Sequence, residues 1–260
     1  MSSESKVTSM TFWDHLDELR GVIVKIIGVT LFFGIIAFIF KEKLFEIVLA
    51  PKEPGFITYR LLEQIEAYFS DSGIDTFSVA LINTGLAEQF IIHMKTALCA
   101  GVLCSSPYIL YQLFRFVSPA LYTKEKRYAK RVVGSGYLMF ICGVLLSYFL
   151  IFPLTFRFLG TYQVADDVTN LISLESYMST LIVMSLSMGI VFEMPVIVWL
   201  FGKMGLISPA FMRKYRRHAI VIILIVAAII TPTSDIFTLL IVSLPMWMLY
   251  EASILLIRHP

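Results

Sequence analysis

The stretch Tyr177–Met204, YMSTLIVMSLSMGIVFEMPVIVWLFGKM, decides the fold class. It is long enough to cross a bilayer, because about 20 apolar residues in a helix span the roughly 30 Å hydrocarbon core. Within it sits one carboxylate, Glu193, two residues before Pro195. A charge at that depth costs at least about 2.5–3.5 kcal/mol on insertion scales, so such residues face a bundle interior or a wet cavity. Ser185, Gly189 and Glu193 recur at i, i+4 and i+8, which predicts one small and polar stripe. Pro195 has no N–H to offer the carbonyl of Val191, which predicts a kink. Two readings of Glu193 stand side by side. It is a polar docking or sealing point inside the membrane, or a protonated side chain that only satisfies loosened backbone.

The composition agrees with a membrane solvent. Hydrophobic residues make up 58% of the chain and charged residues 15%, where a soluble domain carries about 25% charged; mean hydropathy is +0.81. The fold class read here is all-α, one polytopic domain over 1–260 with six transmembrane helices. The apolar segments are Val22–Phe40, Phe90–Phe114, Val132–Phe152, Tyr177–Met204, His218–Ile230 and Ile236–Ile257. The last two read as short. The apolar run of the fifth goes only from Ala219 to Ile230, about 18 Å of helix, and Glu251 interrupts the sixth after Tyr250. TPTSD at 231–235 supplies the turn between them, with Pro232 as stop and Asp235 as cap. The polar N-terminus shows no signal-peptide pattern, and no A-x-A-like cleavage site follows the first segment.

Charge sets the orientation. Of the 21 Lys and Arg residues, 15 fall in the N-terminal flank, the loops 115–131 and 203–217, and the C-terminus. The positive-inside rule makes those flanks cytoplasmic and both termini inside. The opposite set, chiefly the long loop 52–89, reads as an external cap. Within it Tyr59–Phe69 puts Leu61, Leu62, Ile65 and Phe69 on one face and Arg60, Glu63 and Glu66 on the others. This predicts an amphipathic helix, lying at the outer membrane surface or packing only on its own protein.

No catalytic signature appears: H-E-x-x-H, G-x-S-x-G, a Gly-rich phosphate loop and paired Cys/His clusters are all missing. The expectation is a non-enzyme with no catalytic residue, no cofactor, no metal and no nucleic-acid partner. Cys99, Cys104 and Cys142 lie in apolar runs and read as small buried hydrophobes. His93 and Lys95, at the start of the second segment, read as snorkelling side chains. Two cytoplasmic stretches carry unusual acid. In FWDHLDELRG (Phe12–Gly21), Asp14, Asp17 and Glu18 stand beside Arg20. In FRFVSPALYTKEKRYAKR (Phe114–Arg131), Glu125 is the single acid among six basic residues. It is either paired with a neighbour such as Lys124 or Arg127, or a ligand for an incoming cation.

These stretches carry a family resemblance. HLDELR (His15–Arg20), SPYILYQLFRFVSPALYTKEKR (Ser106–Arg127), FPL (Phe152–Leu154), FEMP (Phe192–Pro195), the TPTSD region and Pro51 are collinear with the TatC family, the receptor and core subunit of the twin-arginine protein translocase. The resemblance implies a six-helix protein of the bacterial inner membrane that binds twin-arginine signal peptides of folded precursors. It also implies single-span TatA/TatB-type partners and self-association within the bilayer. Carried over by motif, signal recognition would involve Glu18, Leu19, Arg20, Phe116, Pro119, Leu121, Tyr122, Glu125 and Arg127. Glu193 would face a concave membrane groove, and Pro51 and Asp235 would be structural positions on the outer face. The loop 52–75 departs from the family pattern by its length. A competing class is a small proton-coupled secondary transporter that uses Glu193 at a broken helix.

The charge bias generates a test. Single cysteines at Ser3, Lys126 and Arg213 should label from the cytoplasm, and those at Ser72 and Asp166 from outside, in a background lacking the native cysteines. External labelling at 126 or 213 overturns the orientation.

Overall fold

The structure is a computed structural model that describes residues 12–69, 79–117, 129–163, 165, 170–231 and 235–258. Its helices in chain order are α1 (Phe12–Ile39), α2 (Lys41–Leu49), α3 (Ile57–Phe69), α4 (Glu88–Val117), α5 (Ala129–Leu146), α6 (Phe152–Thr161), α7 (Leu174–Phe192), α8 (Met194–Lys203), α9 (Pro209–Lys214), α10 (Arg216–Ile230) and α11 (Ile236–Arg258). A five-residue π turn, Ser147–Ile151, joins α5 to α6 without a break. Among the described residues, five stretches are long and apolar enough to cross a membrane: Leu16–Ile39, Glu88–Phe116, Val132–Thr161, Leu174–Lys203 and Ile236–Ile257. The expected fifth segment, His218–Ile230, lies in the 15-residue α10, about 22 Å of helix. The sequence predicts six spanning segments; among the described residues five helical stretches reach spanning length, and α10 does not.

The turns gather at two ends. The cap end carries α2, α3 and a two-residue parallel pairing of β1 (Leu81–Ile82) with β2 (Ile172–Ser173). The base end carries the start of α1, the end of α4, and α9. Close packing sets the helix pairs. On α4, Gly101 meets α1 so tightly that a Cβ there would lie 2.6 Å from the Thr30 carbonyl oxygen. One step along, the Thr30 and Ser105 hydroxyls are 3.0 Å apart. Small residues that let backbones approach are the usual glue between membrane helices.

Several boundaries differ from the sequence expectation. The third segment does not end at Phe152. Pro153 cannot donate to the Phe149 carbonyl, and the chain absorbs this in the π turn and runs on as α6. The last helix is not short and does not stop at Glu251. Arg216 Nη2 lies 2.6 Å from the Glu251 carboxylate, so the charge is matched and α11 continues for 23 residues. His93 does not snorkel: it is buried and stacked on Phe38 at 4.0 Å between centroids. Lys95 pairs with Glu175 at 3.2 Å. Cys104 and Cys142 are exposed on the apolar surface rather than buried.

Backbone carbonyls explain how the cap is held. Helix ends and prolines leave carbonyls without helical donors, and nothing in lipid replaces them. Tyr148 and Tyr177 donate to Ile47 O and Val48 O at the end of α2, at 2.6 and 3.1 Å. The Thr58 hydroxyl donates to Phe149 O, the carbonyl that Pro153 frees. The Tyr59 hydroxyl lies 2.9 Å from Pro51 O and 3.2 Å from Pro153 O. Burial holds this phenol well above its usual range, with the Arg157 charge acting the other way, so it stays protonated as a donor. Pro51 is itself buried. Asp235 starts α11, its Oδ1 accepting from Thr238 N at 2.7 Å. Beneath the cap Tyr177 meets Phe152 and Phe156 edge-on at 5.0 Å.

Removing the Tyr59 hydroxyl tests the cap lock. Tyr59→Phe keeps the ring and takes the side-chain donor from the buried Pro51 carbonyl, and a buried acceptor left unmet costs about 1–3 kcal/mol. At about 2–4 °C per kcal/mol for a chain of this size, the melting temperature in detergent should fall by several degrees, whereas Glu63→Gln should leave it unchanged. An unchanged melting temperature for Tyr59→Phe means the cap docks through apolar contacts alone.

Candidate functional site

The break at Glu193 builds the site. Regular helix ends at Phe192 and resumes at Met194, with Glu193 between them at φ −70° and ψ −15°. This is where the missing N–H of Pro195 predicts the interruption. About 15 Å of helix separates Glu193 from Lys203 at the base end, so the carboxyl sits at membrane depth. Its residue is 8% exposed, and Oε1 is buried with no hydrogen-bond partner among the described residues.

Glu193 opens into a concave groove of about 680 Å³. One wall is α4, through Val102, Ser106, Ile109 and Leu113; a second is α5, through Val132, Val133, Gly136 and Phe140; the third is α7–α8. Nearly all of this lining is apolar. The Ser106 hydroxyl donates back to Leu103 O at 2.7 Å, the carbonyl that Pro107 deprives of a donor. That leaves Glu193 as the one ionisable side chain among the described lining residues. Gly136 makes room for it, since a Cβ there would lie 3.0 Å from Glu193 Oε2.

The expected stripe of Ser185, Gly189 and Glu193 is buried throughout, but only Glu193 lines the groove. Gly189 packs on Phe140 and Val144 of α5. The groove face of α7–α8 is instead Leu186, Ile190, Glu193, Val196 and Ile197. Sequence reading missed Gly136 as the partner of Glu193. The signal available was GSG at Gly134–Gly136, a run of small residues in an apolar segment.

At the base end, α1 and α4 run antiparallel. The register that sets Thr30 beside Ser105 and Gly34 beside Gly101, continued toward the base, brings Leu19 level with Phe116. Arg20 is exposed, and Glu18 and Leu19 are half-buried. Glu18 Oε2 is buried without a hydrogen-bond partner among the described residues. Pro119, Leu121, Tyr122, Glu125 and Arg127 lie outside the described residues, in the segment that continues from α4.

At the cap end, Glu88 has a role that sequence reading did not assign. Its Oε2 accepts from the N–H groups of Thr84 and Gly85 at 3.0 and 2.7 Å and from the Thr84 hydroxyl at 3.2 Å. Its Oε1 accepts from Glu175 N at 3.1 Å. One carboxylate thus ties the start of α4 to the start of α7. Three hydrogen bonds from N–H groups and one from a hydroxyl hold it there, as charge-assisted bonds do.

Comparisons with known proteins agree with this architecture. The family model for the Sec-independent protein translocase protein TatC matches residues 14–245. The TatC protein of Blattabacterium sp. subsp. Periplaneta americana (strain BPLAN) is 33% identical over 256 residues, covering 96% of each chain. That of Aquifex aeolicus (strain VF5) is 35% identical over 251 residues, covering 95% of this chain and 94% of the relative. A crystal structure of the twin-arginine translocase receptor TatC superposes with a TM-score of 0.75 at 33% identity, over 94% of this chain and 98% of that one. The match sets aside the secondary-transporter alternative and makes this membrane protein a translocase component rather than an enzyme. The chain belongs to the TatC family of Sec-independent protein translocase proteins.

Proposed function

We propose that this chain is the subunit that captures twin-arginine signal peptides at its base end, which faces the cytoplasm, and that seats single-span partner subunits of the TatA/TatB type along its intramembrane groove. Self-association and residence in the bacterial inner membrane, with both termini inside, belong to the same reading. The observation that carries it is the α1–α4 register, which brings Glu18, Leu19 and Arg20 level with Phe116 at the entry to the segment that holds Glu125. The base end is strongly basic, so general attraction cannot capture a peptide with two adjacent arginines. Local carboxylates can. The planar guanidinium gives forked bonds to a carboxylate, and a lysine supplies the charge without the fork. Glu18 and Glu125 serve as the seat, Leu19, Phe116 and Leu121 hold the apolar part of the signal, and Pro119, Tyr122 and Arg127 shape the loop around it.

Within the membrane, Glu193 offers a carboxyl to a polar side chain on a partner helix lying in the groove. Interhelical hydrogen bonds in membranes contribute about 0.6–2 kcal/mol. Such a bond decides assembly rather than insertion.

Two experiments test the reading. A charge-assisted bond contributes about 1.5–3 kcal/mol, which is roughly a 10–100-fold change in affinity. Glu18→Gln and Glu125→Gln should each reduce cross-linking of a twin-arginine precursor by about that factor, with normal membrane levels of the protein. A Lys-Lys signal should cross-link less than Arg-Arg in the wild type. Full cross-linking in the double variant overturns the seat. For the groove, Glu193→Ala should lower co-purification of single-span partners more than Glu193→Gln, which keeps a polar group. Wild-type co-purification and export with Glu193→Ala removes Glu193 from the function.

A further inference from the structure

Helix α3 meets three different surroundings, and they divide its surface into three sectors. At about 100° per residue, Thr58, Tyr59 and Leu62 fall in one sector, and these are the residues turned into the protein: Thr58 and Tyr59 are buried and Leu62 is half-buried. Arg60, Glu63 and Gln64 form a second, exposed and polar sector. Ile57 and Leu61 form the third. Both are apolar, and both are 54% exposed.

A helix lying flat on a soluble surface has two sectors, one packed and one wet. A third sector that is apolar and uncovered requires a third medium. The neighbours of α3 identify it. Phe56, which leads into α3, stacks on Phe149 at 5.7 Å and 10°. Phe149 and Leu150 are 41% and 43% exposed on the membrane-crossing stretch Val132–Thr161. About 26 Å of helix separates Val132 from Phe149, so Phe149 lies where the hydrocarbon core of roughly 30 Å gives way to headgroups. The uncovered side of α3 is thus continuous with the lipid-facing side of the bundle.

We propose that α3 is an interfacial anchor set in the corner between the bundle wall and the membrane surface at the cap end. Ile57 and Leu61 dip among the acyl chains of that leaflet, and Arg60, Glu63 and Gln64 stay in the headgroup and water layer. A lipid surface fits better than a second copy of the chain. Among the described side chains, α3 itself adds only Ile57 and Leu61 to the exposed apolar surface, with Arg60 and Glu63 beside them, whereas a stable protein interface takes about 800 Å² per partner. The anchor also explains why the Thr58 and Tyr59 locks sit in the first turn of α3. They fix the helix at the height where its apolar sector meets lipid.

The test uses the full-length protein with Cys99, Cys104 and Cys142 replaced by alanine, reconstituted into phosphatidylethanolamine–phosphatidylglycerol vesicles. Nitroxide labels are placed at Ile57→Cys, Leu61→Cys and Glu63→Cys. All three side chains are exposed, so labelling removes no buried contact. Power-saturation EPR should give a several-fold higher oxygen-to-nickel collision ratio at 57 and 61 than at 63. The depth at 57 and 61 should be about 5–10 Å below the phosphates, as for interfacial helices. Labels at 57 and 61 as open to the nickel reagent as the label at 63 would place this sector in water and overturn the proposal. Labels at 57 and 61 shielded from both reagents would mean a protein cover, and would overturn it in favour of a second copy.

Discussion

A peptide carbonyl inside a bilayer has no water to turn to, and this structure is arranged around carbonyls that would otherwise be stranded. Pro107 and Pro153 each remove a donor within a spanning helix. For Pro107 the answer is local, the adjacent Ser106 hydroxyl reaching back to Leu103 O. For Pro153 the answer comes from the cap, where Thr58 reaches Phe149 O. Tyr59 and Tyr177 bring side-chain donors to Pro51 O and Val48 O in the same way, and Tyr148 adds a second donor to Ile47 O, which already accepts from Ala50 N. Each such bond is worth only about 1 kcal/mol net, but leaving the carbonyl unmet costs more. The cap is therefore more than a lid resting on the bundle. It supplies donors that the broken third span cannot supply for itself.

This dependence marks what the sequence could and could not disclose. The apolar periods, the basic flanks, the break before Pro195 and the helix beginning near Tyr59 are all local, and all were legible. The boundaries that differed were set at long range. The third segment reads as ending at Phe152 because the π turn and the Thr58 donor that carry the chain past Pro153 are not visible in the local sequence. Glu251 reads as an interruption because its partner, Arg216, is 35 residues away. His93 reads as polar until the Phe38 ring that covers it is placed. The identity of the site followed the same rule. Glu193 stood out by its cost, but the face that surrounds it was assigned to its i−4 and i−8 neighbours. In the regular helix Leu186 and Ile190, at i−7 and i−3, also share the face of Glu193, and it is they, not Gly189 and Ser185, that line the groove. For the proposed signal-peptide seat, the α1–α4 register supports grouping Glu18, Leu19 and Arg20 with Phe116, while Glu125 rests on its charge and its motif.

The groove itself is a statement about energy. Its lining offers Glu193 no ionic partner among the described residues, and a carboxyl at membrane depth carries a cost of at least about 2.5–3.5 kcal/mol when charged. A protein under no functional demand relieves that cost by substitution or by pairing. Here the opposite has been built: Gly136 is bare where any side chain would crowd the carboxylate, and Ser106, the nearest polar side chain of the lining, is committed to backbone. An unpaired polar group in an apolar channel stabilises whatever occupant satisfies it, beyond the modest value of the new bond, because the occupant also ends the mismatch. The same arithmetic keeps the association reversible. A single interhelical bond of about 0.6–2 kcal/mol changes a binding constant by roughly 3–30-fold, enough to select a helix carrying a polar group at the right depth and too little to hold it permanently. On the proposed reading, a partner helix seated in the groove is held at that strength, chosen by its polar group and free to leave.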